Sequence, residues 1–241
     1  MEKARKTLKK SYYCVIPVYN NFPVIEDVVY RVLRMIDNVL IVDDGSTDAD
    51  LPEVFKLLPV EVIRHDHNRG KGAALCSALK ILKERNVDYM ITIDGDGQHY
   101  PEDIAGIIDF LEENNDPVLL AGVRDLNHPA VPGVSRWGRA FSNFFIKLET
   151  GVNVLDSQCG VRAYPVNAVS EMDLTARHYD LETEILLECA WSGMKIVNFP
   201  VNVYYPQNYE RISHYRKIHD TCRIIRVHVK LLLKHFFHRS R

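Results

Sequence analysis

Between residues 12 and 121 the chain alternates short β-branched apolar runs with stretches of helical period, a rhythm few folds accommodate. The apolar runs are 12–18, 38–43, 60–64, 89–93 and 118–121. Helical period fills most of the intervals, from Pro23 to about Met35, from Ala73 to about Glu84, and onward from Pro101-Glu102-Asp103. Strands that alternate with helices of this length imply βαβ units and a mostly parallel sheet. Ser46 or Thr47 is expected to cap the helix that follows the second strand. Right-handed crossovers put the loops that follow the strands on one edge of the sheet. Asn20, Asp44, Arg69, Asp94, Asp96 and Arg124 are therefore expected to converge there.

The fourth run carries the most chemistry. Tyr89-Met90-Ile91-Thr92-Ile93 stops at Asp94-Gly95-Asp96-Gly97-Gln98-His99, two carboxylates separated by one glycine. Acids delivered this way reach the carboxyl edge, where open α/β folds bind ligands. Oxygen donors on a glycine-bearing turn suit a hard cation, and Mg²⁺ is usually held by one or two carboxylates together with substrate phosphates. The plain alternative is a solvated Asp-Gly turn. The convergence of the other strand ends favours the site.

The chain has 241 residues and a formal net charge of -2, which fits one large globular domain with or without an appended arm and gives no general case for nucleic acid. Cys14, Cys76, Cys159, Cys189 and Cys222 show no metal-ligand spacing. Their odd number, with no signal peptide, points to a reducing compartment. No apolar run approaches the roughly 20 residues that span a bilayer, so a soluble or peripheral protein is expected.

After residue 130 the alternation gives way to other features. Residues 135–150 read as a helix with Trp137, Phe141, Phe144, Phe145 and Leu148 on one side. Asp156-Ser157-Gln158-Cys159-Gly160-Val161-Arg162 leads into a short strand at 161–164, and a helix opens at Tyr179-Asp180-Leu181-Glu182-Thr183-Glu184. From about Ile218 to Phe237 a further helix carries two stripes. Arg223, Arg226, Lys230 and Lys234 form the basic one; Ile218, Cys222, Ile225, Val229, Leu232 and Phe236 form the apolar one. Such a helix either lies on an anionic membrane surface or packs on the sheet with its charges solvated.

Several nucleotide folds are excluded. Pro17-Val18-Tyr19-Asn20-Asn21 is not the GxGxxG of a dinucleotide fold, and Asn68-Arg69-Gly70-Lys71-Gly72 lacks Walker spacing. A haloacid-dehalogenase-type phosphatase also ends a strand in Asp-x-Asp, but on its first strand and with Thr or Val following. Here the pair closes the fourth strand and precedes Gly97-Gln98, which leaves an Asp-based phosphatase as a minor alternative.

Ile16-Pro17-Val18-Tyr19-Asn20, Val42-Asp43-Asp44-Gly45-Ser46-Thr47-Asp48, Asn68-Arg69-Gly70-Lys71-Gly72, Asp94-Gly95-Asp96-Gly97-Gln98-His99 and Asp156–Arg162 occur in one order. In that order they resemble family 2 glycosyltransferases, and within them the dolichyl- and polyprenyl-phosphate glucosyl- and mannosyltransferase branch. The resemblance spans roughly residues 12–217. It implies an α/β GT-A fold, with a mixed, mostly parallel sheet flanked by helices. It divides the chain into a basic arm (1–10), a GT-A domain (11–210), and a phosphate-binding loop with a C-terminal amphipathic helix (211–241). It implies an inverting enzyme that uses a UDP- or GDP-sugar, most readily of glucose or mannose, with Mg²⁺ or Mn²⁺. The acceptor is a polyprenyl phosphate or another lipid-linked molecule, reached from the cytoplasmic face of the membrane through 218–237. A hydroxyl acceptor on a cell-envelope glycan or glycolipid is the alternative. A nucleotide-sugar-binding subunit without turnover is a lesser one, set against the presence of both Asp96 and Gln98.

The resemblance also implies residue roles. Pro17, Tyr19, Asn20 and Asp44 would hold base and ribose, with a helix cap as the plain role for Asp44. Arg69, Lys71 and Arg124 would reach donor phosphate or sugar. Asp94 would orient the donor, and Asp94, Asp96 and Gln98 would bind the cation. Arg162, Arg211 and His214 would face the acceptor phosphate. The family's loop usually reads Arg-x-Gly-x-Ser-Lys, whereas Arg211-Ile212-Ser213-His214-Tyr215-Arg216-Lys217 has no glycine and puts His214 in place of the lysine. A lipid phosphate is already an anion and needs no strong base. A hydroxyl acceptor needs a carboxylate, for which Asp156, Glu182 and Glu184 are the candidates.

Overall fold

The computed structural model describes residues 8–125, 133–204 and 223–233. Its frame is a seven-stranded sheet of order β3-β2-β1-β4-β6-β5-β7. The strands are β1 (Tyr12–Val18), β2 (Val39–Asp43), β3 (Glu61–Arg64), β4 (Tyr89–Thr92), β5 (Val118–Arg124), β6 (Arg162–Pro165) and β7 (Lys195–Val201). The first four pair in parallel, β7 is parallel to β5, and β6 runs antiparallel between β4 and β5. The sheet is thus mixed and mostly parallel, as expected, and the ends of β1, β2, β4 and β5 share one edge.

Helices cover both faces, which is why β1, β2 and β4 are buried almost throughout. Alternation along β1 sends Cys14, Ile16 and Val18 to one face, against Ile25, Val28 and Val29 of α1 (Val24–Val32) and Ile104 and Ile107 of α4 (Asp103–Glu113). Val15 points the other way, with Leu40 and Met90. There it meets Ala74, Leu75 and Ala78 of α3 (Lys71–Glu84), Ile146 of α5 (Gly133–Thr150) and Leu181 and Ile185 of α7 (Asp180–Trp191).

Two short helices, α2 (Leu51–Val54) and α6 (Val166–Ser170), are too brief to show a helical period. Because α2 starts only at Leu51, Ser46 and Thr47 cap no helix. The Ser46 hydroxyl instead accepts the Asn20 backbone N–H at 3.1 Å.

Residues 223–233 form a final helix, α8. Its buried side is Ile224, Val227, His228 and Leu231, with Val227 and Leu231 in the α3–α7 core. Ile225, Val229 and Leu232, the apolar stripe of the sequence, face solvent. The helix therefore has two apolar faces, and the fold uses the one the stripe does not contain. Leu231→Ala is expected to lose about 2–4 kcal/mol in denaturant unfolding, whereas Leu232→Ala should stay within about 0.5 kcal/mol.

Candidate active site

The loops at the ends of β1 and β2 are tied together first. Asn20, in the left-handed region at φ 51°, accepts the Thr47 N–H on its side-chain oxygen at 2.7 Å. Asp43 accepts the Ser46 N–H at 2.8 Å. Asp44 is 3% exposed and accepts the backbone N–H groups of Arg69 at 2.9 Å and Gly70 at 2.7 Å. His65 donates to the same carboxylate from Nδ1 at 2.7 Å, leaving Nε2 to accept the Ser77 hydroxyl at 2.9 Å in the neutral tautomer. Asp44 thus braces the turn that enters α3. Pro17 is buried at the end of β1, Tyr19 is half-buried just beyond it, and Arg69 is exposed.

That brace places Lys71, the first residue of α3. Its ammonium lies 2.6 Å from Asp94 Oδ1 and 3.1 Å from Glu182 Oε1, with the Tyr179 ring 5.7 Å away. Burial alone would lower the Lys71 pKa, but the two carboxylates hold it well above the ordinary lysine value. Burial likewise pushes the Asp94 carboxyl up; Lys71 first, and then the surrounding positive groups, hold it below the usual range. Both charges are therefore present at neutral pH. Gly70 and Gly72 make the approach possible, since a Cβ at Gly72 would sit 2.6 Å from the Arg177 carbonyl carbon.

The turn after β4 is shaped by glycine on both sides. Gly97 has φ 72°. Across from Asp94, a Cβ on Gly160 would sit 2.0 Å from Asp94 Oδ2, so only glycine lets this loop lie against the carboxylate. Thr92 holds the loop there by donating to the Gly160 carbonyl at 2.9 Å. Asp96 is half-buried and accepts the Gln98 N–H at 3.0 Å. His99 is buried, and burial lowers its pKa to about 4, so the ring is neutral.

Asp94, Asp96 and the Gln98 amide form an all-oxygen donor set suited to Mg²⁺ or Mn²⁺. Among the described residues no cluster of three His, Cys, Asp or Glu stands ready to hold an ion. Two carboxylates would be enough if a diphosphate supplied the remaining oxygens.

A second ionic group stands at the end of β5. Asp156 is fully buried and takes two bonds from the Arg124 guanidinium, at 2.7 and 3.0 Å, with Arg139 of α5 at 3.4 Å. Burial raises its pKa, but the bonds from Arg124 and the charge of Arg139 outweigh that and hold the carboxyl below the usual range.

Arg162 departs from its expected role at the acceptor phosphate. It is wholly buried on β6, and its guanidinium donates to three backbone carbonyls: Cys159 at 3.0 Å, Glu182 at 2.9 Å and Ser157 at 2.5 Å. It binds the 157–160 loop to α7 and shows no face to a ligand. Glu184 is likewise occupied, accepting Thr175 and Ala176 backbone N–H groups at 3.0 and 2.8 Å and the Thr175 hydroxyl at 2.8 Å. Arg211 and His214 lie outside the described residues.

The structure therefore brings Asn20, Asp44, Lys71, Asp94, Asp96, Gln98, Arg124, Asp156 and Glu182 to one edge and turns Arg162 and Glu184 inward. Gly160, Arg139, Tyr179 and His65 were not anticipated from the sequence. A glycine between Cys159 and Val161 was a visible signal for the first, and none marked the others.

A mixed α/β sheet with two acids after its fourth strand and basic side chains around them has the architecture of the GT-A nucleotide-sugar transferases. The family model for "Glycosyl transferase family 2" matches residues 13–172, and the chain belongs to that family. It is an enzyme of the glycosyltransferase class. A UDP-N-acetylglucosamine–dolichyl-phosphate N-acetylglucosaminyltransferase of Methanococcus voltae is 30% identical, the alignment covering 82% of this chain and 87% of that one. A polyprenol monophosphomannose synthase of Mycolicibacterium smegmatis is 26% identical over 78% of this chain and 75% of its own. Among solved structures, Mycobacterium tuberculosis glucosyl-3-phosphoglycerate synthase in complex with Mn²⁺, UDP and phosphoglyceric acid superposes with a TM-score of 0.69 at 18% identity. It covers 93% of this chain and 79% of that one, a likeness of fold.

Two substitutions test the geometry. Gly160→Ala should displace the Asp94 carboxylate and lower kcat/KM for sugar transfer by about a hundredfold, the scale of a misplaced reacting group, with the circular dichroism spectrum kept. Asp156→Asn should cost about 3–5 kcal/mol at pH 7, because it removes the buried carboxylate that Arg124 and Arg139 share. The depressed pKa makes the Asp156 contribution full above about pH 3.9 and lost as pH falls through the lower folded-state value. Acid titrations of the variant should therefore lack that step.

Proposed function

We propose that this enzyme is an inverting transferase that moves a sugar from a UDP- or GDP-sugar to a polyprenyl phosphate or closely related lipid-linked acceptor. The observation that carries this reading is the state of the candidate bases. Asp156 is held by two arginines, Glu184 by backbone N–H groups and a hydroxyl, and Glu182 by Lys71. An acceptor that arrives as an anion has no proton to give up and needs none of them. The dolichyl-phosphate and polyprenol specificities in the names of the two relatives support the same class of acceptor.

In this reading Asp94, Asp96 and Gln98 hold Mg²⁺ or Mn²⁺, whose charge offsets that building on the departing nucleoside diphosphate. Asp94 orients the donor from a position that Lys71 and Gly160 define. Lys71, Arg69 and Arg124 supply positive charge around the diphosphate without having to rearrange. Pro17, Tyr19, Asn20 and Asp44 line the nucleoside end. The sugar is glucose, mannose or, as in the name of the Methanococcus relative, N-acetylglucosamine. Arg211 and His214 remain the proposed acceptor-phosphate contacts. The protein works at the inner, cytoplasmic face of a membrane. Among the described residues no helix is long and apolar enough to cross one, and the C-terminal helix is the proposed attachment.

A hydroxyl acceptor would make Glu182 the base, since Lys71 holds only one of its oxygens. Thermal stabilisation by UDP- and GDP-sugars with Mg²⁺ or Mn²⁺ identifies the donor, because a specific ligand raises apparent stability by mass action. With that donor, Asp96→Ala should remove transfer to polyprenyl phosphate from a folded protein, and metal-dependent activity retained by the variant would defeat the mechanism. Glu182→Gln separates the acceptors. A phosphate acceptor predicts kcat within about tenfold of the parent, whereas loss of a general base costs about 10²–10⁴-fold.

A further inference from the structure

Two helices distant in sequence, packed against one another, each leave apolar side chains in solvent. On α5, Phe141, Phe144 and Leu148 are 52, 60 and 67% exposed at helical spacings of three and four. On α8, Ile225, Val229 and Leu232 are 44, 52 and 42% exposed on the side away from its buried face. The helices pack against one another. The Phe145 and His228 rings are 6.1 Å apart, and His228 Nδ1 lies 2.9 Å from the Glu149 carboxylate. Phe141 and Phe144 in turn lie against Phe145, with ring separations of 4.6 and 5.6 Å, so the aromatic contacts run from one exposed set to the other helix. A patch of this composition on a folded chain marks an interaction surface.

Charge says what covers it. The solvent side of α8 carries Arg226 and Lys230, both exposed, and residues 223–233 contain no acid. Lys147 is exposed on α5, while Glu149, the acid nearest the junction, is committed to His228. A partner protein would ordinarily be met by mixed charges at the rim, whereas apolar side chains flanked by Arg226, Lys147 and Lys230, the last also donating to the Thr175 hydroxyl at 2.7 Å, match anionic headgroups over acyl chains. The inner side of α5 meanwhile supports the site: Arg139 reaches Asp156 at 3.4 Å and Asn143 accepts the Ser157 N–H at 3.0 Å. The helix that presents Phe141, Phe144 and Leu148 outward is the one that braces the Arg124–Asp156 pair.

We propose that α5 and α8 together form a bilayer-docking surface. The six apolar side chains enter the boundary between headgroups and acyl chains, and Arg226 and Lys230 meet lipid phosphates. This deepens the membrane attachment proposed above and rests on it, adding α5 as a half of the surface that the C-terminal helix alone does not supply.

The test is co-sedimentation of the full chain with vesicles of phosphatidylcholine alone or in equal parts with phosphatidylglycerol. The parent should bind the anionic vesicles and bind the neutral ones weakly. Phe141→Ser/Phe144→Ser/Leu148→Ser, which leaves α8 intact, should reduce partitioning by at least about tenfold. Arg226→Glu/Lys230→Glu should weaken binding to the anionic vesicles by a similar factor and flatten its salt dependence. Donor-induced thermal stabilisation equal to that of the parent establishes that each variant is folded. Should the parent show no donor response, circular dichroism serves instead, and a vesicle result as expected upholds the docking surface while the transferase reading fails. Unchanged vesicle binding by the α5 variant overturns the proposal. So does a parent that is dimeric by light scattering, ignores vesicles, and becomes monomeric on the α5 substitutions, because the strip then covers a second copy.

Discussion

The ion group Asp94–Lys71–Glu182 holds the active edge of this enzyme together. Each member comes from a different element: Asp94 follows β4, Lys71 opens α3 and Glu182 lies in the first turn of α7. A lysine this deep would be costly alone, and so would either acid. Two carboxylates on one ammonium leave a net negative charge at the end of β4, which favours a cation there over an unaccompanied anion. The glycines at 70, 72 and 160 belong to the same constraint. Each removes a side chain where backbone or carboxylate must come within van der Waals distance. Around the Asp94 carboxylate, covalent structure and electrostatics thus require the same conformation.

The second ionic group has a different logic. Asp156 accepts from both Arg124 and Arg139, so one buried carboxylate is shared between two guanidinium groups. Placed at the end of β5, it brings two guanidinium groups to the same edge of the sheet as Asp94 and Lys71. The buried Arg162 makes the arrangement stiff by joining three carbonyls of the 157–160 loop and α7. Its charge serves the scaffold that presents the others.

Much of this was legible in the sequence because the elements before residue 125 are regular. Period and turn chemistry located five strands and the edge where their loops meet, and Asp94, Asp96 and Arg124 lie there. The strand at 161–164 was legible and lies within a residue of β6, but its place in the sheet was not, because its antiparallel position between β4 and β5 depends on the path through α5. The same limit applies to Arg162, whose neighbours in sequence suggested a ligand contact while its neighbours in space are carbonyls. On α8 the apolar stripe read from the sequence is the exposed one. Periodicity reports that a helix has an apolar face; it does not report whether protein covers it, and here a second apolar face won the contact with the core.

That outcome bears on how donor and acceptor are kept apart. The proposed nucleotide-sugar side is built from β1 to β4 and α3, where Asp43, Asp44, His65, Lys71 and Asp94 are held by hydrogen bonds or ion pairs. The outer face of α5 and α8 is built from side chains whose contacts are unfinished in water. Arg139, Ser142 and Asn143 on the inner face of α5 connect the two by bonding Asp156 and Ser157. A helix restrained on one side by charge and unsatisfied on the other is stable as it stands, but whatever covers its outer face acts on the helix that braces the Arg124 pair. In the proposed reading, the element that meets the lipid is also the one that touches the loop carrying Asp156 and Ser157.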